Sequence, residues 1–265
     1  MSAGEGVAPQ RCKRLLLLGF AVAASIFFLV MIPLHPFLGL AVLFLSHMLI
    51  LYATLVPNCQ WWGPVVTHFE TPRREVWLTI DDGPDPRHTP RILEILKRFE
   101  ARATFFVIGQ RAAQFPAELA AIRGAGHELG NHTATHPSAT FWCLPPGRIA
   151  EEIDRCNVPA RYFRAVAGMK NPFVHPALAR RGLTLVGWSV RGFDTVSQDA
   201  EAVAVRIMRG VKPGAILLLH EGHHLATDPD FQPRCLEQTL LALTSAGYGC
   251  VLPRPEQLRP RAGEK

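Results

Sequence analysis

The six cysteines, Cys12, Cys59, Cys143, Cys156, Cys235 and Cys250, form no CxxC pair and no dense framework. That scatter fits reduced thiols better than staples and excludes a small disulfide scaffold. No run of five or more Lys/Arg occurs, and no basic stripe is interleaved with aromatics, so the formal charge of +6 leaves no footprint for nucleic acid. Attraction to anionic lipid head groups or phosphorylated substrates accounts for the sign more simply. Internal repeats and low-complexity segments are missing too. With 48% hydrophobic residues in 265, the chain is neither disordered nor collagen-like. Charge is scarce, at 19% of residues, and is absent from Leu15 to Val56.

The apolar excess behind a mean hydropathy of +0.12 therefore lies at one end. Residues 15–34 and 37–56 are each long enough to cross a hydrocarbon core of about 30 Å, and only His35 and Pro36 part them. A hairpin of two transmembrane helices is the expected form; a cleaved signal peptide competes, but its apolar region would be shorter. Arg11, Lys13 and Arg14 precede the first span, the tip has no Lys or Arg, and Arg73 and Arg74 follow the second. That asymmetry places both ends, and the domain after them, in the cytoplasm. If one segment is re-entrant, the domain lies outside.

From residue 75, short β-rich runs alternate with helical patterns. The strand candidates are 76–80, 103–108, 127–131, 161–164, 184–189, 215–220 and 249–252. The helix candidates begin at Thr89 and span 117–123, 147–156, 176–181, 199–209 and 236–245. The alternation predicts an α/β domain with a mainly parallel sheet, either an open sheet or a barrel. The expected boundaries are 1–14 (a basic N-terminus), 15–56 (two spans), 57–74 (a linker), 75–253 (the domain) and 254–265 (a Pro-rich basic tail).

Ionisable groups gather at the C-terminal ends of these strands, the edge where α/β sheets and barrels form active sites. Asp81 and Asp82 follow VWLTI, His132 and His136 follow HELGN, Arg164 ends RYFR, Asp194 follows LVGWS, and His220 ends AILLLH. Adjacent carboxylates on a strand exit let one ligate a cation while the other serves as a base, although Asp-Asp-Gly-Pro alone is more often a capping turn. HxxxH puts both imidazoles on one side if the segment is helical, a spacing that metal sites use. His220 suits a general acid. One of His223 and His224 could bind a second cation, whereas His68, His88, His127 and His175 have no partners in sequence and read as solvated or satisfied.

TIDDGP (79–84), NHTATHP (131–137), FRAVAG (163–168), GWSVRGFD (187–194) and LLLH (217–220) occur in order, and the chain from about 75 to 252 resembles the polysaccharide deacetylase family, the NodB-homology group of carbohydrate esterase family 4. The resemblance implies a deformed (β/α) barrel of about seven strands that binds one divalent metal, Zn²⁺ with Co²⁺ as a substitute, and hydrolyses an N-acyl group from an amino sugar. It implies Asp82, His132 and His136 as metal ligands, Asp81 as general base oriented by Arg164, and His220 as general acid. A backbone N–H near Ala167 would bind the oxyanion, with Trp188 also on the substrate side.

Two motifs depart from the family's pattern. Val166 and Ala167 replace a proline and a large residue in the third, and Arg191 and Thr195 replace an acid and a tryptophan in the fourth, leaving Asp194 to tune His220 or pair with an arginine. The intact metal and acid–base set argues against a dead homologue, while the altered wall argues against an ordinary polymer. The expectation is therefore deacylation, acetyl or formyl, of a lipid-linked or glycolipid amino sugar at a plasma-type membrane. Deacetylation of an exported or cell-wall polysaccharide, a membrane-anchored scaffold that keeps the metal for stability, and a phosphoesterase are the alternatives.

Overall fold

In the computed structural model, residues 7–222, 228 and 230–260 are described, with side chains from Lys13 onward; His223 and His224 lie outside them. Two helices open the chain, α1 (Val7–Met31) and α2 (Pro36–Leu55). Lys13–Met31 and Pro36–Leu55 are long and apolar enough to cross a membrane. They lie side by side, and Gly39 permits the approach: a Cβ there would be 3.0 Å from that of Met31. Their outer faces leave Phe37, Leu15, Leu16 and Phe44 more than half exposed, a continuous apolar surface of the kind that marks a membrane or protein contact.

The rest is a curled parallel sheet with helices packed on it. In chain order the elements are β1 (Val66–Phe69), β2 (Glu75–Asp81), α3 (Thr89–Arg98), β3 (Ala103–Val107), α4 (Gly109–Gln114), α5 (Pro116–Gly124), β4 (Glu128–Asn131) and α6 (Pro146–Asp154). They continue with β5 (Tyr162–Phe163), α7 (Val174–Ala179), β6 (Thr184–Leu185), β7 (Val190–Arg191), α8 (Ala200–Gly210), β8 (Ile216–His220), α9 (Phe231–Ser245), β9 (Gly249–Cys250) and β10 (Leu258–Pro260). The main sheet runs β6-β5-β4-β3-β2-β8-β7, with β9 joining the start of β2. All its pairings are parallel, so every strand ends at the same edge of a half-barrel. Both faces of β2 and β3 are covered, which is why they read as apolar runs rather than alternations.

Local signals explain several helices. Pro90 lies in the first turn of α3, Ile92, Ile95 and Leu96 are buried, and Lys97 and Arg98 face the negative end of its dipole. Asp199 caps α8 by accepting from the N–H groups of Glu201 and Ala202.

Three sequence expectations need correction. The run 184–189 is not one strand: β6 pairs with β5 and β7 with β8, at opposite ends of the sheet, because the chain turns at Gly187 against Asn58 and Val65. The segments expected as linker (57–74) and tail (254–265) contain β1 and β10, which pair antiparallel. Val66 bridges Val186 and His68 bridges Ala215, so this ribbon spans between the two sides of the sheet. Finally, α4 was not anticipated, and α9 begins at Phe231 rather than near 236, with Pro233 tolerated in its first turn.

Candidate active site

The site starts from the pleat of β2, where Thr79 and Asp81 share a face. The Arg164 guanidinium, with no exposed surface, donates through Nη1 to both, at 2.7 Å to Thr79 Oγ1 and 2.7 Å to Asp81 Oδ1. Its Nη2 donates to Gly187 O at 2.7 Å and its Nε to Val186 O at 3.3 Å, while its plane lies 4.2 Å from the Phe106 ring centroid. Arg164 is thus fixed on every side and presents Asp81 with one rigid donor.

Asp82 follows with a φ of 74°, the left-handed region, and Thr133 and His136 do the same after β4, at 69° and 53°. HxxxH is therefore a strained loop, not the helix on which the spacing argument rested. The loop still brings both imidazoles to Asp82 Oδ1, with Nε2 of His136 at 3.2 Å and of His132 at 3.4 Å. The ligand atoms of Asp82, His132 and His136 lie within 4.8 Å of one another. His132 Nδ1 lies 2.8 Å from Arg164 O; as the donor there, it leaves the Nε2 lone pair pointing to the cluster.

This donor set fits a divalent cation on the structure's own terms. Asp82 Oδ1 is buried and has no hydrogen bond despite two imidazole nitrogens nearby, the pattern of ligands converging on a charge between them. Burial pushes the Asp82 carboxyl up, but the three imidazoles of His132, His220 and His136 outweigh it and hold it well below the ordinary range. Burial, aided by the charge of His132, pushes His136 down to about 4, so it offers a neutral ring. Two nitrogens and one carboxylate oxygen with open positions suit Zn²⁺.

His220, at the end of β8, faces the cluster from the other side. Asp194 accepts from its backbone N–H at 2.7 Å through Oδ2 and lies 3.0 Å from its Nδ1 through Oδ1. Burial lowers the His220 pKa, but the Asp194 carboxylate, with those of Asp82 and Asp81 behind it, more than reverses this and raises it to about 9. Of the two roles open to Asp194 in sequence, the geometry matches the histidine partner. Ala167 lies in a short 3₁₀ turn with a φ of 51° and is exposed. Trp188 is only 7% exposed; its ring packs near Arg164 and Arg191, so it offers little surface for stacking a sugar.

Sequence reasoning missed two buried carboxyls. Glu152 accepts from Thr135 N at 2.9 Å and from its Oγ1 at 2.8 Å, bracing the histidine loop from α6. Glu221 accepts from Thr89 Oγ1 at 2.7 Å, and burial pushes it up to about 8. Its one signal was adjacency to His220. His88 and His127 are satisfied, each accepting a backbone N–H, from Gly222 and Ala103, whereas His175 keeps a buried Nε2 with no partner. The cysteines among the described side chains are free thiols.

A half-barrel with a carboxylate pair, three imidazoles and a braced arginine at one sheet edge defines a hydrolase of the α/β class. The family model for polysaccharide deacetylase matches residues 68–185. The chain is 33% identical over 192 residues to the chitooligosaccharide deacetylase of a Bradyrhizobium species, covering 66% of this chain and 87% of that protein. Among solved structures, a family 4 carbohydrate esterase from Streptomyces lividans in complex with acetate superposes with a TM-score of 0.61 at 27% identity, covering 75% of this chain and 99% of that one. A family pseudoenzyme from Bacillus anthracis also gives 0.61 at 26% identity, over 69% of this chain and 65% of its own. The chain belongs to the polysaccharide deacetylase family, the NodB-homology group of carbohydrate esterase family 4.

Proposed function

We propose that the protein removes an N-acyl group, acetyl or formyl, from an amino sugar carried on a membrane lipid. The observation that carries the hydrolytic reading is the meeting of Asp81, Asp82, His132, His136 and His220 at one sheet edge. A pseudoenzyme shares the fold, so the argument rests on these side chains and not on architecture.

Asp82, His132 and His136 would hold one divalent cation, Zn²⁺ by donor type. Bound there, it supplies Lewis acidity for the amide carbonyl and makes a neighbouring water more acidic. Asp81, held by Arg164, takes a proton from the attacking water as the C–O bond forms. His220 protonates the amine nitrogen as the C–N bond breaks, since an amide anion does not leave on its own. The exposed backbone at Ala167 would donate its N–H toward the carbonyl oxygen as negative charge develops.

The lipid part rests on the apolar hairpin and on where it docks. Its ends contact the loops of the catalytic edge: Lys170 N donates to Thr54 O at 3.0 Å and Asn58 Nδ2 to Trp188 O at 2.7 Å. Lys13 and Arg14 at the start of the apolar run of α1, with Arg73 and Arg74 beyond α2, favour a cytoplasmic domain at a plasma-type membrane. A second reading, deacetylation of a soluble oligosaccharide or exported polymer, is favoured by the chitooligosaccharide deacetylase relative.

The test uses detergent-purified full-length protein with Zn²⁺ or Co²⁺, given a lipid-linked N-acylhexosamine or soluble N-acetylglucosamine oligomers, with Asp81→Asn as control. Acyl loss by mass spectrometry from the lipid-linked sugar alone supports the proposal. Loss from the oligomers alone supports the second reading, and a C-terminal reporter should then lie outside. Loss from neither leaves a binding or scaffold role.

A further inference from the structure

Outside the hairpin, the large apolar side chains that stay more than a third exposed, among the described residues, are Phe173, Phe193, Val196, Val205 and Leu241. Val205 and Leu241 line one shallow groove between α8 and α9. The other three lie on loops of the catalytic edge: Phe193 and Val196 bracket Asp194, and Phe173 follows the loop that carries Ala167. Phe193 has a φ of 59°, a conformation that a bulky side chain rarely adopts, yet it remains 46% exposed. Strain that holds an aromatic ring in water points to something that covers it.

Phe173 stands beside the hairpin, and Phe193 is linked to the segment after it through Arg191 and Trp188. Phe173 follows Pro172, whose carbonyl accepts from Arg14 Nη1 at 3.4 Å. Phe193 packs under Arg191, 4.3 Å from guanidinium to ring centroid, and Arg191 lies 5.7 Å from the Trp188 ring. Trp188 and Pro57 press together on Gly168, where a Cβ would be 2.5 Å from Pro57 and 2.8 Å from Trp188.

The junction is rigid. The Lys170 ammonium has no exposed surface and donates to Pro57 O at 2.6 Å, Val56 O at 3.1 Å and Gly168 O at 3.4 Å. A cation at the C-terminal end of α2 meets the negative pole of the helix and joins it to the Ala167 loop. The C-terminal end of α2 is therefore held directly against a loop of the catalytic edge.

We propose that the catalytic edge is itself a bilayer-docking face. Phe173, Phe193 and Val196 insert at the boundary between head groups and acyl chains, and the site opens onto the head-group layer. The occupant is the lipid interface because Phe173 follows the residue that Arg14 contacts, and Leu15, next to Arg14, begins the hairpin's exposed apolar surface. The inference rests on the reading of that hairpin as membrane-spanning and gives the glycolipid substrate its direction of approach.

The test places p-benzoylphenylalanine at 173, 193 or, as control, 205 in full-length protein in phosphatidylcholine–phosphatidylglycerol vesicles. Irradiated samples are searched for lipid adducts by mass spectrometry. Adducts at 173 and 193 but not 205 are expected. Equal labelling at 205, no lipid adducts, or adducts to a second protein copy overturns the proposal. In parallel, Phe173→Ser should lower the ratio of lipid-linked to soluble-substrate turnover about tenfold, the scale of one partly buried aromatic. Lipid adducts without any glycolipid deacylation support the docking face and remove the substrate reading; deacylation without adducts does the reverse.

Discussion

Asp194 holds His220 from two directions, accepting its backbone N–H at 2.7 Å and facing its ring Nδ1 at 3.0 Å. One carboxylate thus fixes both the position of the strand end and the orientation of the imidazole, and it keeps the ring protonated. Arg191, three residues before Asp194, stacks on the Phe193 ring and makes no contact with the imidazole comparable to that of Asp194.

The pH dependence follows from that pair. With a pKa of about 9, His220 carries its proton below that pH and loses it above, so the rate should fall as pH rises through about 9. Asp194→Asn removes the largest raising charge and leaves burial against the weaker pull of Asp82 and Asp81, so the basic limb moves to lower pH and kcat at pH 8 drops by roughly tenfold or more. The same sign governs stability. The pair contributes fully below 6.5 and its contribution is lost as pH rises to about 9, so the variant's Tm should vary less across that window. An unmoved basic limb would remove His220 as the donor.

Arg164→Met strands the Asp81 carboxylate, 3% exposed, and two carbonyls without their donor. Breaking a buried pair from one side costs about 3–5 kcal/mol. Chemical denaturation should show a loss of that size, and Arg164→Lys should recover only part of it, because an ammonium lacks the planar fork.

Metal binding should depend on the brace as well as on the ligands. Asp82→Asn should abolish stoichiometric Zn²⁺ retention in equilibrium dialysis. Glu152→Ala, which frees the loop at Thr135, should weaken it about 10–100-fold with every ligand still present. Chelation should remove activity, and Zn²⁺ or Co²⁺ should restore it. Undiminished affinity in Glu152→Ala would mean that the loop's own turns suffice.

Lys170→Met leaves the carbonyls of Val56 and Pro57 without their donor at a buried junction. A buried unsatisfied group costs about 1–3 kcal/mol, so the full-length protein should lose at least that much stability. Faster backbone hydrogen exchange at residues 54–58 and 165–171 together would show that the two segments open as one unit. Exchange confined to one of them would separate hairpin from loop.

The sequence by itself determined what depends on local order: two apolar runs of membrane-spanning length, the alternation that makes a parallel sheet, and the ionisable residues at its strand ends. Each is written in the period or position of neighbouring residues, so TIDDGP and LLLH delivered Asp81 and His220 to one edge without knowledge of the fold. Only the tertiary structure decided the rest. The loop form of 132–136 is met by Glu152 reaching across from α6 to Thr135, and the break within 184–189 falls where Asn58 and Val65 pack against Gly187. The ribbon of β1 and β10 joins segments almost two hundred residues apart, and Lys170 finds its carbonyls over a hundred residues earlier. Such contacts leave no local periodicity, because a buried ammonium or a strand pair is satisfied by whatever the fold brings near it, and only the folded chain shows what that is.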